Sequence, residues 1–239
     1  MLQKIDAIVL SKLKYGESDL IVKCFTKQRG TETYLLKRIL ASKKGKLKTA
    51  FFTPLTQLVV EEHYRENASL QRITEAKPSY TYYTLHTQVT KSAMAMFLGE
   101  TLSLVLKEEK QNEALYEYLS TTLQLLDQED AFANFHLLFL VKLTKYIGFY
   151  PKVTQENTLF FNISDGHFES VSKGSHSISG DNVFLLKQLL GTNFDEVKEI
   201  KINRTRRQAF LSMILHYFEY HVPGFKKPKS LEIVNSLFN

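Results

Sequence analysis

Between Lys37 and Lys48 six side chains carry positive charge: Lys37, Arg38, Lys43, Lys44, Lys46 and Lys48. They fall within twelve residues, and no Asp or Glu occurs between Glu32 and Glu61. Such a set can bind a polyanion, because charged groups on flexible stems follow a phosphate backbone without demanding one fixed geometry. The run Ala41-Ser42-Lys43-Lys44-Gly45-Lys46 is small, polar and Gly-containing, which fits a mobile loop between strands. Tyr34, Phe51 and Phe52 flank it and carry the planar rings that stack on unpaired bases. The competing reading is a merely solvated loop, with those aromatics inside a core. Two smaller basic groups follow later. Arg204, Arg206 and Arg207 open a late helix, where Arg206 and Arg207 are also placed to face Glu196, Glu199 or Glu219 as ordinary surface pairs. Lys226, Lys227 and Lys229 form the other group.

Catalytic patterns are missing from the sequence. It has no phosphate-binding G-x-x-x-x-G-K-[ST], no dinucleotide G-x-G-x-x-G, no nucleophile elbow G-x-S-x-G and no H-E-x-x-H. The seven histidines are scattered, and His216 and His221 are five apart, which puts them on different faces of a helix. His63, beside Glu61 and Glu62, reads as a strand residue. The acidic run Asp127, Glu129, Asp130 reads as a cap region at a helix start. Cys24 is the only cysteine, so neither an internal disulfide nor a Cys-rich zinc site is possible. Its place in an alternating apolar run makes it a small core residue. The sequence therefore points away from an enzyme and calls for no metal and no cofactor.

The formal net charge of +6 is unevenly placed. Residues 1–78 hold 15 Lys and Arg against 8 Asp and Glu, whereas residues 79–239 hold 16 against 17. All of the excess lies in the first third, which again points to a polyanionic partner. Apolar residues at 44% and charged residues at 23% of 239 are ordinary for one or two folded domains. No secretory leader is expected, and no apolar run approaches the ~20 residues that span a bilayer. The longest greasy stretch, Phe135 to Leu143, contains His136 and Lys142 and fits a buried helix. The expected setting is cytoplasmic and nucleoid-associated.

These residues must be positioned by two kinds of element. The first third reads as β: a strand beginning Ile5 to Leu10, the turn Tyr15-Gly16-Glu17-Ser18, and a strand from Asp19 to Thr26 with Leu20, Val22 and Cys24 on one face. After the turn Gln28-Arg29-Gly30 come strands at Thr31 to Ile39, Leu55 to Tyr64 and Leu70 to Lys77, the last two joined by Asn67-Ala68-Ser69. Five short strands within 79 residues suggest a small closed barrel of the OB-fold kind, here spanning residues 1–79. After Pro78 the spacing becomes helical. Helices are expected at Thr84 to Lys107, Glu113 to Leu126 and Phe132 to Ile147, with a β-hairpin from Leu159 to Val171. Asp181 to Leu190, Phe194 to Lys198, Thr205 to Val222 and Leu231 to Leu237 return to helix. The fold class is α+β, with residues 80–239 as a mainly helical domain carrying a hairpin insertion near residues 156–172.

The opening Ala7-Ile8-Val9-Leu10-Ser11-Lys12-Leu13-Lys14-Tyr15-Gly16-Glu17-Ser18-Asp19, followed by Phe25-Thr26 and Gly30, resembles the bacterial RecO family of DNA repair proteins. The similarity runs through Lys37 to Lys48, the strand Leu55 to Tyr64, and Thr74-Glu75-Ala76. It thins afterwards to Gly148-Phe149-Tyr150-Pro151 and the basic end before Ser230-Leu231. The resemblance implies an OB-fold domain and then a helical one. It implies binding of single- and double-stranded DNA, annealing of complementary strands, and help in loading RecA onto strands coated by single-strand-binding protein. RecR and the C-terminal tail of single-strand-binding protein are the implied partners, and RecA filaments are reached indirectly. Many members carry a four-cysteine zinc module after the Gly-Tyr-x-Pro segment. This chain has no cysteine there, so a metal-free hairpin is expected in its place. Two readings from other classes stand beside this one: a general single-stranded nucleic-acid (RNA) binding OB protein, and a protein-interaction scaffold whose basic loop takes an acidic tail.

Overall fold

Alternation of apolar and polar residues builds the first five strands: β1 (Leu2–Tyr15), β2 (Asp19–Thr26), β3 (Gly30–Leu36), β4 (Gln57–His63) and β5 (Arg72–Pro78). The structure is a computed structural model that describes residues 2–41, 47–66, 68–107, 109–152 and 158–237. The strands form one antiparallel sheet in the order β3-β2-β1-β4-β5. Its two edges then meet. Tyr34 and Gln71 form a parallel bridge, with the Leu35 N–H donating to the Gln71 carbonyl at 3.0 Å and the Gln71 N–H to the Thr33 carbonyl at 2.8 Å. That bridge joins the two outer strands at one end and bends the sheet toward a small five-stranded barrel. Ile5, Val9, Val22, Cys24, Tyr34 and Val60 lie inside it. Each buried aliphatic side chain of this size contributes about 1.5–3 kcal/mol. Burial in this apolar interior pushes the Cys24 thiol well above its usual range, so it is an inert core group.

β1 carries a bulge between Val9 and Ser11, which bends a 14-residue strand around the barrel. Ile8 and Leu10 point away from the interior yet are also buried, because α1 (Val89–Val105) packs across β1. Gly99 makes that approach possible: a Cβ there would stand 3.1 Å from the Pro54 Cβ and 3.4 Å from the Leu10 carbonyl oxygen. On β2 the outward Phe25 is covered by Tyr116 of α2 (Glu113–Gln128), with ring centroids 6.4 Å apart. The β2–β3 turn is clamped by the chain between the two helices. Thr31 donates its N–H to the Glu109 carbonyl at 2.9 Å and its Oγ1–H to the Leu106 carbonyl at 2.6 Å. Gly30, with φ of 79°, lies so close that a Cβ would sit 2.2 Å from the Glu109 oxygen. These helices belong with the barrel in one compact unit, Met1–Gln128 with Pro228–Ser230.

The sequence pattern predicts a helix from Thr84, but α1 begins at Val89. The reason is Asp127. Its carboxylate accepts the N–H groups of Tyr83 at 3.0 Å, Thr84 at 2.8 Å and Leu85 at 2.7 Å, which holds residues 83–85 in a separate turn. Asp127 thus caps a turn preceding α1 from the last turn of α2, rather than starting a helix after itself. Lys91, fully buried on α1, donates to the Asp127 carbonyl at 2.7 Å and the Thr84 hydroxyl at 2.8 Å.

The second compact unit comprises Glu129–Lys227 and Leu231–Asn239. Its centre is α3 (Phe135–Tyr146), apolar on nearly every side and packed on α4 (Asp181–Leu190) and α5 (Arg204–His221). α6 (Leu231–Leu237) follows. His136 on α3 is fully buried, and desolvation together with the nearby Arg207 charge lowers its imidazole pKa to about 3. The expected hairpin is present as β6 (Phe160–Asn162) and β7 (His167–Glu169). A third strand, β8 (Ser177–Ser179), pairs with the other side of β6. The segment Phe194 to Lys198, expected as helix, holds only a short 3-10 turn at Val197–Glu199.

Candidate nucleic-acid interface

Three of the six cations of the Lys37-to-Lys48 set lie among the described residues between β3 and β4. Lys37 and Arg38 follow β3 directly and are exposed, and exposed Lys48 precedes the 3-10 turn Thr49–Phe52. Arg38 sits at φ of 55°, in the left-handed region. Its N–H donates to the Asp19 carboxylate at 2.7 Å, and the Leu40 N–H donates to the Ser18 carbonyl at 2.9 Å. These two bonds hold residues 38–40 against the β1–β2 turn. The Lys48 ammonium lies 5.7 Å from the Phe51 ring centre. Among the described residues, no ion pair involves the side chain of Lys37, Arg38 or Lys48. Lys43, Lys44 and Lys46, with Ser42 and Gly45, lie outside the described residues.

Tyr34 is not part of this surface. It is 0% exposed, inside the barrel with Phe52, so no base can stack on either ring as the barrel stands. Pairing explains why: Tyr34 faces Val22 across β2–β3, and Val22 is an interior residue. Phe51 is half-buried against the same core. An exposed ring belongs to Tyr15, the last residue of β1, which pairs with Asp19, and sequence reasoning treated it only as a turn residue. Its position after the exposed Lys12-Leu13-Lys14 end of β1 was the available signal.

In the second unit the three arginines separate. Arg204 is exposed at the start of α5, which Asn203 caps by accepting the Arg206 N–H at 2.9 Å. Arg206 pairs with Asp181 at 3.4 Å, not with Glu196, Glu199 or Glu219. Arg207 is half-buried and donates to the Asn134 side chain at 3.0 Å and the Ile202 carbonyl at 3.2 Å. Its guanidinium braces α5 against the chain before α3, which removes most of its capacity to contact a phosphate. Lys226 and Lys227 are exposed in this unit. Lys229, also exposed, belongs to the first unit, where its N–H and that of Ser230 donate to Glu100 at 2.9 Å each. Those bonds and the Ser230 hydroxyl outweigh desolvation and hold the Glu100 pKa below the usual carboxylate range. Among the described residues no group of three or more His, Cys, Asp or Glu is placed to hold a metal ion, and no helix is long and apolar enough to cross a membrane.

Strand order, the β3–β5 closure and the helices that follow define an OB-barrel protein with a helical extension. Residues 1–82 match the family model for the recombination protein O N terminal domain, and residues 86–232 match that for its C-terminal domain. The chain is 48% identical over 238 residues, and over 100% of both chains, to the DNA repair protein RecO of Christiangramia forsetii. It is 39% identical to that of Flavobacterium psychrophilum, covering 99% of each, and 36% identical to that of Bacteroides fragilis over 100% of each. The chain belongs to the RecO family.

Proposed function

We propose that the protein is a recombination mediator in DNA repair that acts by binding DNA and not by catalysis. It anneals complementary strands and assists the loading of RecA onto single-stranded DNA coated by single-strand-binding protein. RecR and the tail of single-strand-binding protein are its partners in that step. The single observation that carries this reading is family membership over the whole chain. The exposed cations Lys37, Arg38 and Lys48 support it, because they flank the Lys43, Lys44 and Lys46 run in the sequence. In this reading residues 1–79 make the principal DNA contact. Residues 80–239, whose net charge is near zero, suit protein contacts, with exposed Arg204 as an auxiliary phosphate contact. The protein works in the cytoplasm, at the nucleoid. Neither the RNA-binding nor the scaffold alternative is favoured by the family match.

The test is a titration of the full chain with single-stranded DNA and with RNA of equal length, together with annealing of naked complementary DNA strands. Tighter binding to DNA and faster annealing are expected. Equal or tighter binding to RNA without annealing would refute the reading.

A further inference from the structure

β1 loses its partner on one edge partway along the strand. β2 pairs with β1 as far as Tyr15, whereas β4 pairs only with Leu2 to Ile8. The last bonds on the β4 side run from the Val9 N–H to the Thr56 carbonyl at 3.0 Å and from the Leu55 N–H to the Val9 carbonyl at 2.6 Å. There the chain leaves the ladder, because Pro54 has no N–H to donate and Leu55 turns at φ of 67°. Backbone groups of a strand point alternately to its two edges. Residues 11–15 therefore direct part of their N–H and C=O groups away from β2, to a side where no strand among the described residues pairs with them.

That edge borders an apolar groove of about 840 Å³, lined by Leu10, Ser11 and Lys12 of β1 and by Val89, Ala93 and Met96 of α1. Val89 is 80% exposed and Met96, seven residues on along the same helix face, is 41% exposed. Three titratable groups line the groove: Lys12, His86 and Glu100. The Glu100 carboxylate is already taken up by the Lys229 and Ser230 N–H groups and by the Ser230 hydroxyl at 2.6 Å. The His86 ring donates to the Pro54 carbonyl at 3.0 Å, and burial, with the Lys12 charge adding to it, lowers its pKa. Lys12 is left as the groove's open positive charge, and exposed Lys14 follows it on the strand. Among the described residues neither lysine makes an ion pair. An open strand edge beside an apolar groove takes an extended peptide as an added strand: main-chain bonds hold it, and alternate side chains fill the groove. A second copy of the same edge would bring Lys12 and Lys14 against the same lysines, and like charges on paired strands repel. A strand that carries carboxylates reverses the sign.

We infer that residues 11–15 of β1 and the facing side of α1 form a docking site for an extended, acidic segment of a partner protein, which adds to the sheet as a strand and continues the ladder where β4 leaves it. The segment lays alternate apolar side chains against Val89 and Met96 and brings its carboxylates to Lys12 and Lys14. Recognition runs through the main chain, so an internal segment fits as well as a chain end. The site goes beyond the DNA-binding reading and does not depend on it.

The probe is a short fluorescent peptide of alternating glutamate and valine, capped at both ends, titrated into the full chain. Two twins carry N-methyl groups, one at every valine and the other at every glutamate, so each loses the N–H donors of one edge only. Saturable binding of the probe is expected, with slowed hydrogen exchange at the amides of residues 11–15. One twin should bind like the probe and the other at least about tenfold more weakly, as expected for two or three lost backbone bonds. A peptide with lysine in place of glutamate should not bind. Val89→Glu, at an exposed position of α1, should weaken the probe at least about tenfold by opposing its charge and filling the groove, and should anneal naked DNA strands like the parent. No saturable binding of the probe, equal binding of the two twins, or unchanged exchange at residues 11–15 overturns the site and leaves the proposed function standing. So does a Val89→Glu chain of lower mass by sedimentation, which would make the groove a contact between copies. A folded Val89→Glu chain that loses annealing as well would make the groove a nucleic-acid contact and overturn the peptide site.

Discussion

Replacing Lys37, Arg38 and Lys48 together by Ala separates charge from structure, because none of the three makes an ion pair among the described residues and only the Lys48 side chain makes a ring contact. Lys37 and Arg38 are exposed, and the one bond at Arg38 that holds the loop comes from its backbone N–H, which Ala retains. The left-handed φ of 55° strains Ala as much as Arg, so the backbone term cancels. Lys48 loses an exposed ring contact at 5.7 Å from Phe51, worth about 0.5–1 kcal/mol. The variant should therefore lose no more than about 1 kcal/mol of stability. DNA binding should respond much more. If the whole Lys37-to-Lys48 set neutralises about six phosphates, log K for single strands falls with log salt at a slope of about −4. Removing three cations leaves a slope of about −2, so the affinity lost between about 50 and 200 mM salt shrinks from about 2.5 decades to about 1.2. The assay is a titration of a fluorescent single strand at four salt concentrations, with urea unfolding of both chains as the control. An unchanged slope in a folded variant would refute the phosphate-contact reasoning and move the contact elsewhere, Arg204 being the exposed candidate.

Asp127→Asn should destabilise the chain by about 2–3 kcal/mol in urea unfolding, since three N–H groups lose a charged acceptor. Burial disfavours the Asp127 charge, but the N–H groups of Tyr83, Leu85 and Thr84 outweigh it and hold the pKa below the ordinary carboxylate range. That stability is fully present above the unfolded-state value and is lost as pH falls through the lower folded one, so below about pH 4 the parent should lose stability more steeply than the variant. His136, whose folded pKa is lowered to about 3, binds its proton more readily in the unfolded chain. The His136 share of stability should therefore fall on acidification from about pH 6.5, by about 2 kcal/mol at pH 5, and His136→Leu should shrink the slope in equilibrium unfolding, leaving the part due to His86, whose pKa burial also lowers. Elemental analysis should find no stoichiometric zinc, and a chelator should leave the melting temperature unchanged. One zinc per chain would contradict the metal-free hairpin.

Elements whose signal is local were legible in the sequence. β2, with Leu20, Val22 and Cys24 alternating, and α4, started by Asp181 and stopped by Gly191, lie where the pattern puts them. So does the five-stranded β region of the first third. What could not be read depends on distant partners. Asp127 holds residues 83–85 across more than forty positions and shortens α1. β8 is Ser177-Ile178-Ser179, too short and polar to signal a strand, and exists because β6 has a second edge to fill. The pairing of Arg206 with Asp181 and the bracing of Asn134 by Arg207 are tertiary contacts invisible in helical spacing. The candidate site suffered the same way. Tyr34 and Tyr15 are both aromatics near lysines, and only the strand register shows that one points into the barrel and the other onto its surface.

In the proposed function this chain brings complementary strands together through its basic barrel when single-strand-binding protein already covers them. The direct measurement is the annealing rate of complementary DNA strands pre-coated with that protein, with no added chain, with the parent chain, and with the Lys37→Ala, Arg38→Ala, Lys48→Ala variant. Annealing should be strongly accelerated by the parent and much less by the folded variant, most clearly near 200 mM salt. A parent chain that leaves coated strands unannealed, or a variant that anneals them as fast as the parent, would contradict the account.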